Sequence, residues 1–225
     1  LYHAYNKSSM VRTGRQGMLA QLNWGGKNQW PAFKELSGKE DSKGLEDNFK
    51  GNTLAQHWQW DFRNAVPRIK QQNGRLYLSG TVEQGNPSGV ALTLRPAHPH
   101  YEMEVTVENE NEAVKGLTVY GDAKMSVGVG VAANKAQLWS VKDGKRTVLA
   151  PSVIQKGAVQ LKMVVDNGLK AYYREKTGGW KALEAGEDIS FEALAPWDRS
   201  ARMGLHFLGD KNEQAVFSGF KLTYK

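Results

Sequence analysis

The sequence contains no cysteine, which excludes a disulfide framework and any thiolate chemistry. It also lacks long hydrophobic runs, and its apolar stretches fall far short of the roughly 20 residues that a membrane-spanning helix needs. Hydrophobic residues make up 40% of the chain and charged residues 24%, which is ordinary for a globular protein and excludes wholesale disorder. A chain of 225 residues with this composition has room for one large domain, or for one domain and a fragment of another.

Long blocks of like charge are missing too, although the formal net charge is +7 and the pI is near 9.4. The basic residues are scattered, and the densest stretch, Lys142–Arg146, brackets an Asp-Gly turn that is typical of a hairpin tip. A scattered excess indicates a basic, solvated surface rather than a nucleic-acid site. We therefore expect no nucleic-acid partner and no membrane partner.

Glycine is abundant: it accounts for 24 of 225 residues, about 11%, whereas its usual share is roughly 7%. Most of these glycines are spread singly along the chain. Many single glycines indicate many turns, and Asn73-Gly74, Asp143-Gly144 and Asn167-Gly168 are typical hairpin turns. The segment Tyr101–Glu108 alternates apolar and polar residues, as a strand with one buried and one wet face does. About a dozen such strands predict an all-β protein in which residues 47–225 form a two-sheet antiparallel sandwich, most simply a jelly roll.

The first 46 residues follow a different pattern. Two alternating segments, Leu1–Tyr5 and Gly14–Trp24, predict a hairpin joined by a polar loop, and the region closes at Phe33. Residues 34–46 are charged and contain scattered Ser and Gly, a composition typical of a linker. Helix is nearly absent throughout, and we expect at most a single turn at Leu54–Trp58 and another at Phe191–Leu194.

Two groups of short motifs occur in order along the chain. The first, Tyr2-His3-Ala4-Tyr5 followed by a strand ending in Trp24 and by Trp30-Pro31, resembles the last strands of the five-bladed propeller of glycoside hydrolase family 43. The second resembles the concanavalin A-like sandwich found at the C-terminus of many β-xylosidases and α-L-arabinofuranosidases of that family. The motifs of this second group are DNFKGNTLAQHWQW, GRLYLSG, ALTLRP, GLTVYGD, AYYREKTGGWKAL and ARMGLHF with AVFSGFKLTY.

The resemblance implies that residues 1–33 are a remnant of the last propeller blade and residues 47–225 an accessory sandwich. The parent enzyme would cleave xylosidic or arabinosidic bonds of plant polysaccharide, in the periplasm or outside the cell. The family holds its catalytic carboxylates in earlier blades, so we expect this chain itself to be inactive, with a carbohydrate or a propeller catalytic domain as its partner. We expect no cofactor. Calcium stays open as an alternative, although Ala215–Phe220 lacks two acidic residues that many relatives carry there.

Two other functions remain as alternatives. The first is a free-standing carbohydrate-binding or lectin-like module. The second is a sandwich-type hydrolase that uses Glu108, Glu110 or Glu112, which would project from one face of a continued strand. Hydrolysis needs two carboxyl groups roughly 5 to 10 Å apart, but the intervening asparagines favour a solvated turn. His98 and His100 could bind a metal, yet no third ligand is evident, and we predict no metal site.

Aromatic residues are the stronger carbohydrate signal, with seven Trp and eight Tyr. Sugars stack their C–H faces on flat rings, and polar groups at the edges fix their orientation. Trp58, Trp60 and Phe62 would share one face of an extended segment, with Asp61 and Arg63 beside them. We predict that these five residues form a carbohydrate or interdomain contact, that at least one ring is exposed, and that the chain has no catalytic residue.

Overall fold

The structure, a computed structural model, describes residues 2–5, 10–35, 43–154, 157–176, 178–186, 189, 194 and 199–225. The described part contains one short helix and eighteen strands. They are β1 (Tyr2–Tyr5), α1 (Met10–Thr13), β2 (Arg15–Met18), β3 (Ala20–Asn23), β4 (Ala32–Glu35), β5 (Leu45–Asp47), β6 (Ala65–Gln72), β7 (Arg75–Val82), β8 (Val90–Leu94), β9 (Tyr101–Asn109), β10 (Val114–Asp122), β11 (Met125–Ala132), β12 (Lys135–Lys142), β13 (Lys145–Val153), β14 (Gly157–Asp166), β15 (Gly168–Glu175), β16 (Lys181–Leu183), β17 (Arg202–Leu208) and β18 (Ala215–Tyr224).

Two large antiparallel sheets form a sandwich, which confirms the predicted fold class. The six-stranded sheet has the order β13-β12-β11-β10-β17-β8. The eight-stranded sheet has the order β16-β15-β14-β9-β18-β7-β6, and β5 pairs with β18 outside that path. Strands that are distant in sequence therefore lie side by side, so that β8, β10 and β17 bring three separate parts of the chain to one end of the smaller sheet.

The hydrophobic core lies between the two sheets. Along β9 the apolar residues Tyr101, Met103, Val105 and Val107 are buried, while the acidic residues between them are half-buried on the outer face. The neighbouring β14 repeats the pattern, and β10 and β11 supply the opposite face. Each fully buried Val, Leu or Met side chain contributes about 1.5–3 kcal/mol relative to an exposed one, so this contact is the main source of stability.

The predicted hairpin turns are present. Asn73 and Gly74 have φ angles of 54° and 71°, and Asp143 and Gly144 have 51° and 76°. Two successive positive φ values are those of a type I′ turn, which matches the twist of the flanking strands. At the third turn Asn167 has a φ of 29°, and Asp166 pairs with Gly168 across it.

One of the two expected single turns is present, and the other lies largely outside the described residues. Leu54–Trp58 contains a hydrogen-bonded turn, in which Trp58 N donates to Ala55 O at 3.1 Å, but no helix. Of Phe191–Leu194 only Leu194 belongs to the described residues, so that prediction lies largely outside them. The one described helix is α1, within the region expected to be a polar loop. Within the described part of the chain, no helix is long and apolar enough to cross a membrane.

The N-terminal hairpin is present, but its second strand is shorter than predicted. β1 pairs with β2, and Tyr2 lies opposite Met18. The expected strand Gly14–Trp24 is divided at Leu19 into β2 and β3. Its second half, β3, pairs instead with β4, with Leu22 opposite Phe33.

The boundaries of the predicted linker, residues 34–46, also differ in part. Its first two residues belong to β4, and its last two belong to β5, which pairs with β18 in the large sheet. Residues 36–42 lie outside the described residues. Gly44 lies so close to Leu222 that a Cβ atom there would be 1.9 Å from the Leu222 carbonyl oxygen, so the chain needs glycine as it enters the sandwich.

A polar cluster is buried on the outer face of the six-stranded sheet. The ring centroids of Trp139 and His206 are 4.5 Å apart, and the Arg146 guanidinium lies 3.8 Å from the centroid of the Trp139 ring. The loop residue Ser88 covers the cluster and accepts a 2.7 Å hydrogen bond from Ser126 Oγ. Neither ring nitrogen of His206 has a hydrogen-bond partner among the described residues. The cluster therefore accommodates the neutral imidazole of His206, and it contains no carboxylate that could pair with the protonated form.

We predict that His206 makes the fold sensitive to acid. Burial, and secondarily Arg146, holds the pKa of His206 well below its ordinary value of about 6.5. Below about pH 6.5, the imidazole of the unfolded chain gains a proton while the folded chain keeps His206 neutral. The free energy of unfolding therefore falls by up to about 1.4 kcal/mol per pH unit as the pH decreases. Urea unfolding at pH values from about 7 to about 5.5 should show this slope, and His206→Gln should reduce it. Equal slopes in both proteins would contradict the prediction.

Candidate functional site

The five predicted site residues do not form one aromatic face. Trp58 is a core residue with 4% exposure, and its ring meets that of Phe220 edge-on at a centroid distance of 5.0 Å. Its indole Nε1 donates to Asp47 Oδ2 at 2.9 Å. Trp60 and Phe62 lie at the surface, with 41% and 75% of their area exposed. The prediction of at least one exposed ring is therefore confirmed. The prediction that Trp58, Trp60 and Phe62 share one face is wrong, because the segment is not an extended strand.

Backbone pairing explains why the chain leaves the core after Trp58. Gln59 forms an isolated bridge with Thr93, in which each backbone N–H donates to the other residue's carbonyl, at 2.9 and 2.7 Å. Two residues later the chain turns, and the Asp61 carbonyl accepts hydrogen bonds from the N–H groups of Asn64 and Ala65. The bridge and the turn hold the intervening residues at the rim of the six-stranded sheet.

Trp60 and Phe62 border an open cavity of about 470 Å³, which we call the arginine pocket. Its floor comes from β8 and β10, and its rim comes from the 60–63 loop, β2, β17 and the residues that precede β17. The lining residues are Arg15, Trp60, Asp61, Phe62, Arg63, Thr93, Arg95, Tyr120, Gly121, Asp122, Arg199, Ser200 and Arg202. Four of the five predicted residues are thus together here, and only Trp58 is not.

Asp61 has a structural role in the pocket. Its Oδ2 accepts hydrogen bonds from Tyr120 Oη at 2.9 Å and from Asn64 Nδ2 at 2.8 Å, and its Oδ1 accepts one from the Arg63 N–H at 3.2 Å. Burial and then the Asp61 carboxylate raise the pKa of Tyr120, so its hydroxyl stays protonated and remains the donor. Asp61 therefore fixes the turn to the sheet through three neutral donors.

The grouping of the arginines is the feature that the sequence did not reveal, since Arg63 is the only one of them among the predicted site residues. Arg202 donates to Gln59 Oε1, and Arg95 donates to the backbone carbonyl of Arg15. Burial, followed by the positive charges of Arg95 and Arg199, lowers the pKa of Arg202. Arg95 and Arg202 are more than a hundred residues apart in the chain, and the motifs that contain them do not indicate that the two side chains meet. Only the pairing of β8, β17 and β10 brings them together.

A larger groove, of about 610 Å³, lies on the outer face of the eight-stranded sheet and includes Trp180. Lys162 Nζ and the Arg174 guanidinium each lie 4.5 Å from the centroid of the Trp180 ring. Lys162 also forms ion pairs with Glu102 and Glu104 at 3.0 and 2.8 Å. The charges in this groove therefore have partners within the protein, and the arginine pocket is the better candidate.

Comparison with known proteins identifies the fold's family. The family model described as the beta xylosidase C-terminal concanavalin A-like domain matches residues 46–211, well over half of the chain. The chain belongs to this family. The resemblance found in its motifs is thereby confirmed for the sandwich. No curated protein sequence matches the chain.

Solved structures share the architecture of this family member at low sequence identity. A family 43 protein from Bacillus licheniformis is 17% identical with a TM-score of 0.72, over 94% of this chain and 47% of that one. A xylan beta-1,4-xylosidase from Bacillus halodurans is 19% identical with a TM-score of 0.69, over 93% and 47%. A Saccharomyces cerevisiae protein of unknown function is 17% identical with a TM-score of 0.50, over 75% and 97%. The chain spans about half the length of the two family 43 proteins.

The three glutamates of the hydrolase alternative do not share a strand face in this sandwich. β9 ends at Asn109, and Glu110 and Glu112 are exposed in the bend that follows it. Glu108 pairs with Arg75 at 2.8 Å. The bend is shaped by Lys115, whose buried ammonium group donates to Asn111 O, Asn111 Oδ1 and Ala113 O at 2.8–2.9 Å. Burial lowers the pKa of Lys115 to about 8.

The histidine pair is occupied by other contacts. The His98 ring packs on Tyr224 at a centroid distance of 4.8 Å. His100 Nδ1 lies 2.9 Å from Asp166 Oδ1 and 3.1 Å from Arg12 Nη1. Among the residues that the structure describes, no group of three or more His, Asp or Glu side chains is arranged to hold a metal ion.

We predict opposite effects for substitution of the two tryptophans of this loop. Trp60→Phe should remove an exposed indole, lower the fraction of tryptophan fluorescence that acrylamide quenches, and change stability by no more than about 0.5 kcal/mol. Trp58→Phe should leave the quenched fraction nearly unchanged but destabilise the protein by about 1–3 kcal/mol, because Asp47 loses a buried hydrogen-bond partner. Quenching and urea titrations of both variants measure these effects. A reversed pattern would contradict the assignment of the rings.

Proposed function

We propose that the chain is the accessory sandwich of a family 43 glycoside hydrolase that acts on xylosidic or arabinosidic bonds of plant polysaccharide, and that it docks on a propeller catalytic domain. The observation that carries the proposal is the apolar surface of the β3–β4 hairpin. Trp24, Trp30 and Phe33 are 78%, 94% and 74% exposed. A two-stranded hairpin is marginal by itself, and exposed aromatic surface of this kind marks an interaction site.

The contacts of the preceding segment favour a dock beside the arginine pocket. Thr13 is buried at 1% exposure, and a Cβ atom on Gly14 would lie 2.5 Å from the Ser200 backbone nitrogen. Arg15 then lines the pocket and donates to Tyr5 Oη at 3.2 Å within the β1–β2 hairpin. A propeller that completes these hairpins would therefore be held near Trp60 and Phe62, so that the loop could form part of the wall of a substrate site.

The proposal extends to catalysis and to location. Glycoside hydrolysis needs paired carboxyl groups that flank the scissile bond, and the two aspartates of the arginine pocket are already hydrogen-bonded within the protein. We therefore propose that the chain contributes binding surface and no turnover, and that it works in the periplasm or outside the cell, where polymeric substrate is found. A free-standing sugar-binding module is the second candidate, because Trp60 and Phe62 border a cavity formed by this chain alone.

The docking proposal predicts strand complementation. A panel of family 43 propellers that lack their own last-blade strands is mixed with the chain, and complexes are measured by size-exclusion chromatography and calorimetry. We expect a complex with at least one propeller, and at least tenfold weaker binding for Trp30→Ser and Phe33→Ser, because each removes a large apolar contact. Val153→Ser is the matched control, since Val153 is 75% exposed on the sandwich itself. Failure of every propeller to bind, or equal loss in the control, would contradict the docking proposal.

The hydrolase alternative makes a different prediction. The triple variant Glu108→Gln, Glu110→Gln and Glu112→Gln should change stability by less than about 1 kcal/mol, because the residues are exposed or form one partly exposed ion pair. We expect no hydrolysis of aryl xylosides or arabinosides by either the unaltered chain or the variant. Turnover that is present in the unaltered chain and lost in the variant would favour the hydrolase.

A further inference from the structure

We propose that the arginine pocket binds a carboxylate-bearing sugar, a uronic acid unit of an acidic polysaccharide. This inference rests on the proposed function in carbohydrate recognition and adds to it the charge of the sugar. The pocket combines the two features that such a ligand requires: exposed flat rings for the sugar and clustered guanidinium groups for the carboxylate.

The charges in the pocket are unbalanced. Five arginines line it against two aspartates, Asp61 and Asp122. Asp61 accepts hydrogen bonds from Tyr120, Asn64 and the Arg63 N–H, and Asp122 Oδ1 accepts one from the Lys124 N–H at 2.7 Å, so the partners of both carboxylates are neutral donors. The two carboxylates can balance at most two of the five guanidinium charges, and the lining keeps a net positive charge.

Four of the arginines have no acidic partner within the described part of the chain. Arg63, Arg95, Arg199 and Arg202 form no ion pair with a described carboxylate. Ion pairs are present elsewhere in the described chain, as in Arg75–Glu108 at 2.8 Å and the Lys162 ion pairs with Glu102 and Glu104. Grouping like charges without partners costs free energy, and a bound anion would recover that cost.

Arg202 shows the repulsion most clearly. It is half-buried at the start of β17, where its burial and then the charges of Arg95 and Arg199 lower its pKa, against the opposing effect of Asp61. Its guanidinium donates to the neutral amide oxygen of Gln59, which leaves further N–H donors for a ligand. A planar guanidinium binds a carboxylate through two parallel hydrogen bonds, and a partly desolvated one does so more strongly than an exposed one.

The shape of the pocket suits a sugar rather than a bare ion. Its volume of about 470 Å³ lies within the range of roughly 300–1,000 Å³ that is usual for small-molecule sites. Thr93 and Tyr120 form the floor on the outer face of the sheet, and Trp60 and Phe62 stand at the rim. A sugar ring stacked on Trp60 could direct its carboxylate toward Arg95 and Arg202 and its hydroxyls toward the polar floor.

The experiment compares two oligosaccharides that differ in charge. The 225-residue chain is titrated by calorimetry with a xylo-oligosaccharide that carries one glucuronic acid branch, and with the neutral xylo-oligosaccharide of the same backbone. Inorganic phosphate is the third probe, because it supplies an anion without a ring. We expect the acidic sugar to bind at least tenfold more tightly than either of the others, and added salt to weaken its binding selectively.

Two variants test the arginines against a matched control. Arg202→Gln and Arg95→Gln should each weaken binding of the acidic sugar about tenfold and leave binding of the neutral sugar unchanged. Arg68→Gln removes the same charge from an exposed position on β6, outside the pocket, and should have no effect. Thermal unfolding of all variants shows whether they fold. If Arg202→Gln does not fold, Arg95→Gln still tests the pocket, because Arg95 is exposed.

The possible failures are distinguishable. If the neutral and acidic sugars bind equally, or if phosphate binds as tightly as the acidic sugar, the proposal that the pocket selects a carboxylate-bearing sugar is wrong. Neither result affects the proposal that the chain docks on a propeller. If neither sugar binds, the inference falls together with the sugar-binding module, and the complementation experiment alone decides the docking function. If Arg68→Gln weakens binding as much as the pocket variants, a general charge effect replaces the proposed site.

Discussion

Alternate side chains of β9 and β14 pack against those of β10 and β11, and this contact between two sheets fixes the positions of all other elements. The apolar residues of Tyr101–Asn109 can be buried only if the strand keeps its register, because a shift by one residue would turn its glutamates inward. Register in turn sets which outer-face residues are neighbours. The arginine pocket exists because β8, β17 and β10 are held in one order at one sheet end.

Asp47 connects this core to the surface loop. Its two carboxylate oxygens accept hydrogen bonds from the Phe49 N–H and from Trp58 Nε1, both at 2.9 Å. The indole is thereby fixed against Phe220 on β18. Because Trp58 is anchored, and Gln59 pairs with Thr93, the next residues have a defined exit from the sandwich. A buried ring thus determines where two exposed rings, Trp60 and Phe62, are displayed.

Two features of the molecule carry an uncompensated cost. The β3–β4 hairpin exposes aromatic rings to water, and the arginine pocket gathers like charges without enough carboxylates. The arginine pocket lies where α1 and β2 meet the sandwich, as the contact of Gly14 with Ser200 shows. The chemistry of the two features differs, since the hairpin suits an apolar protein surface and the pocket an anion. A docking domain and an acidic sugar are therefore separate expectations for two different surfaces.

The sequence by itself determined the local structure of this protein. The alternation in Tyr101–Glu108 and the Asn-Gly and Asp-Gly turns depend on residues close in the chain, and they predicted the strands and hairpins of an all-β sandwich. The motif around Trp58 and Trp60 likewise indicated the family and at least one exposed ring. Only the tertiary structure decided that Trp58 is core while Trp60 and Phe62 are exposed, because the Gln59–Thr93 bridge breaks the extended segment that the pattern suggested. It alone placed Arg95 beside Arg202, since strand order depends on contacts between distant segments that no local pattern records.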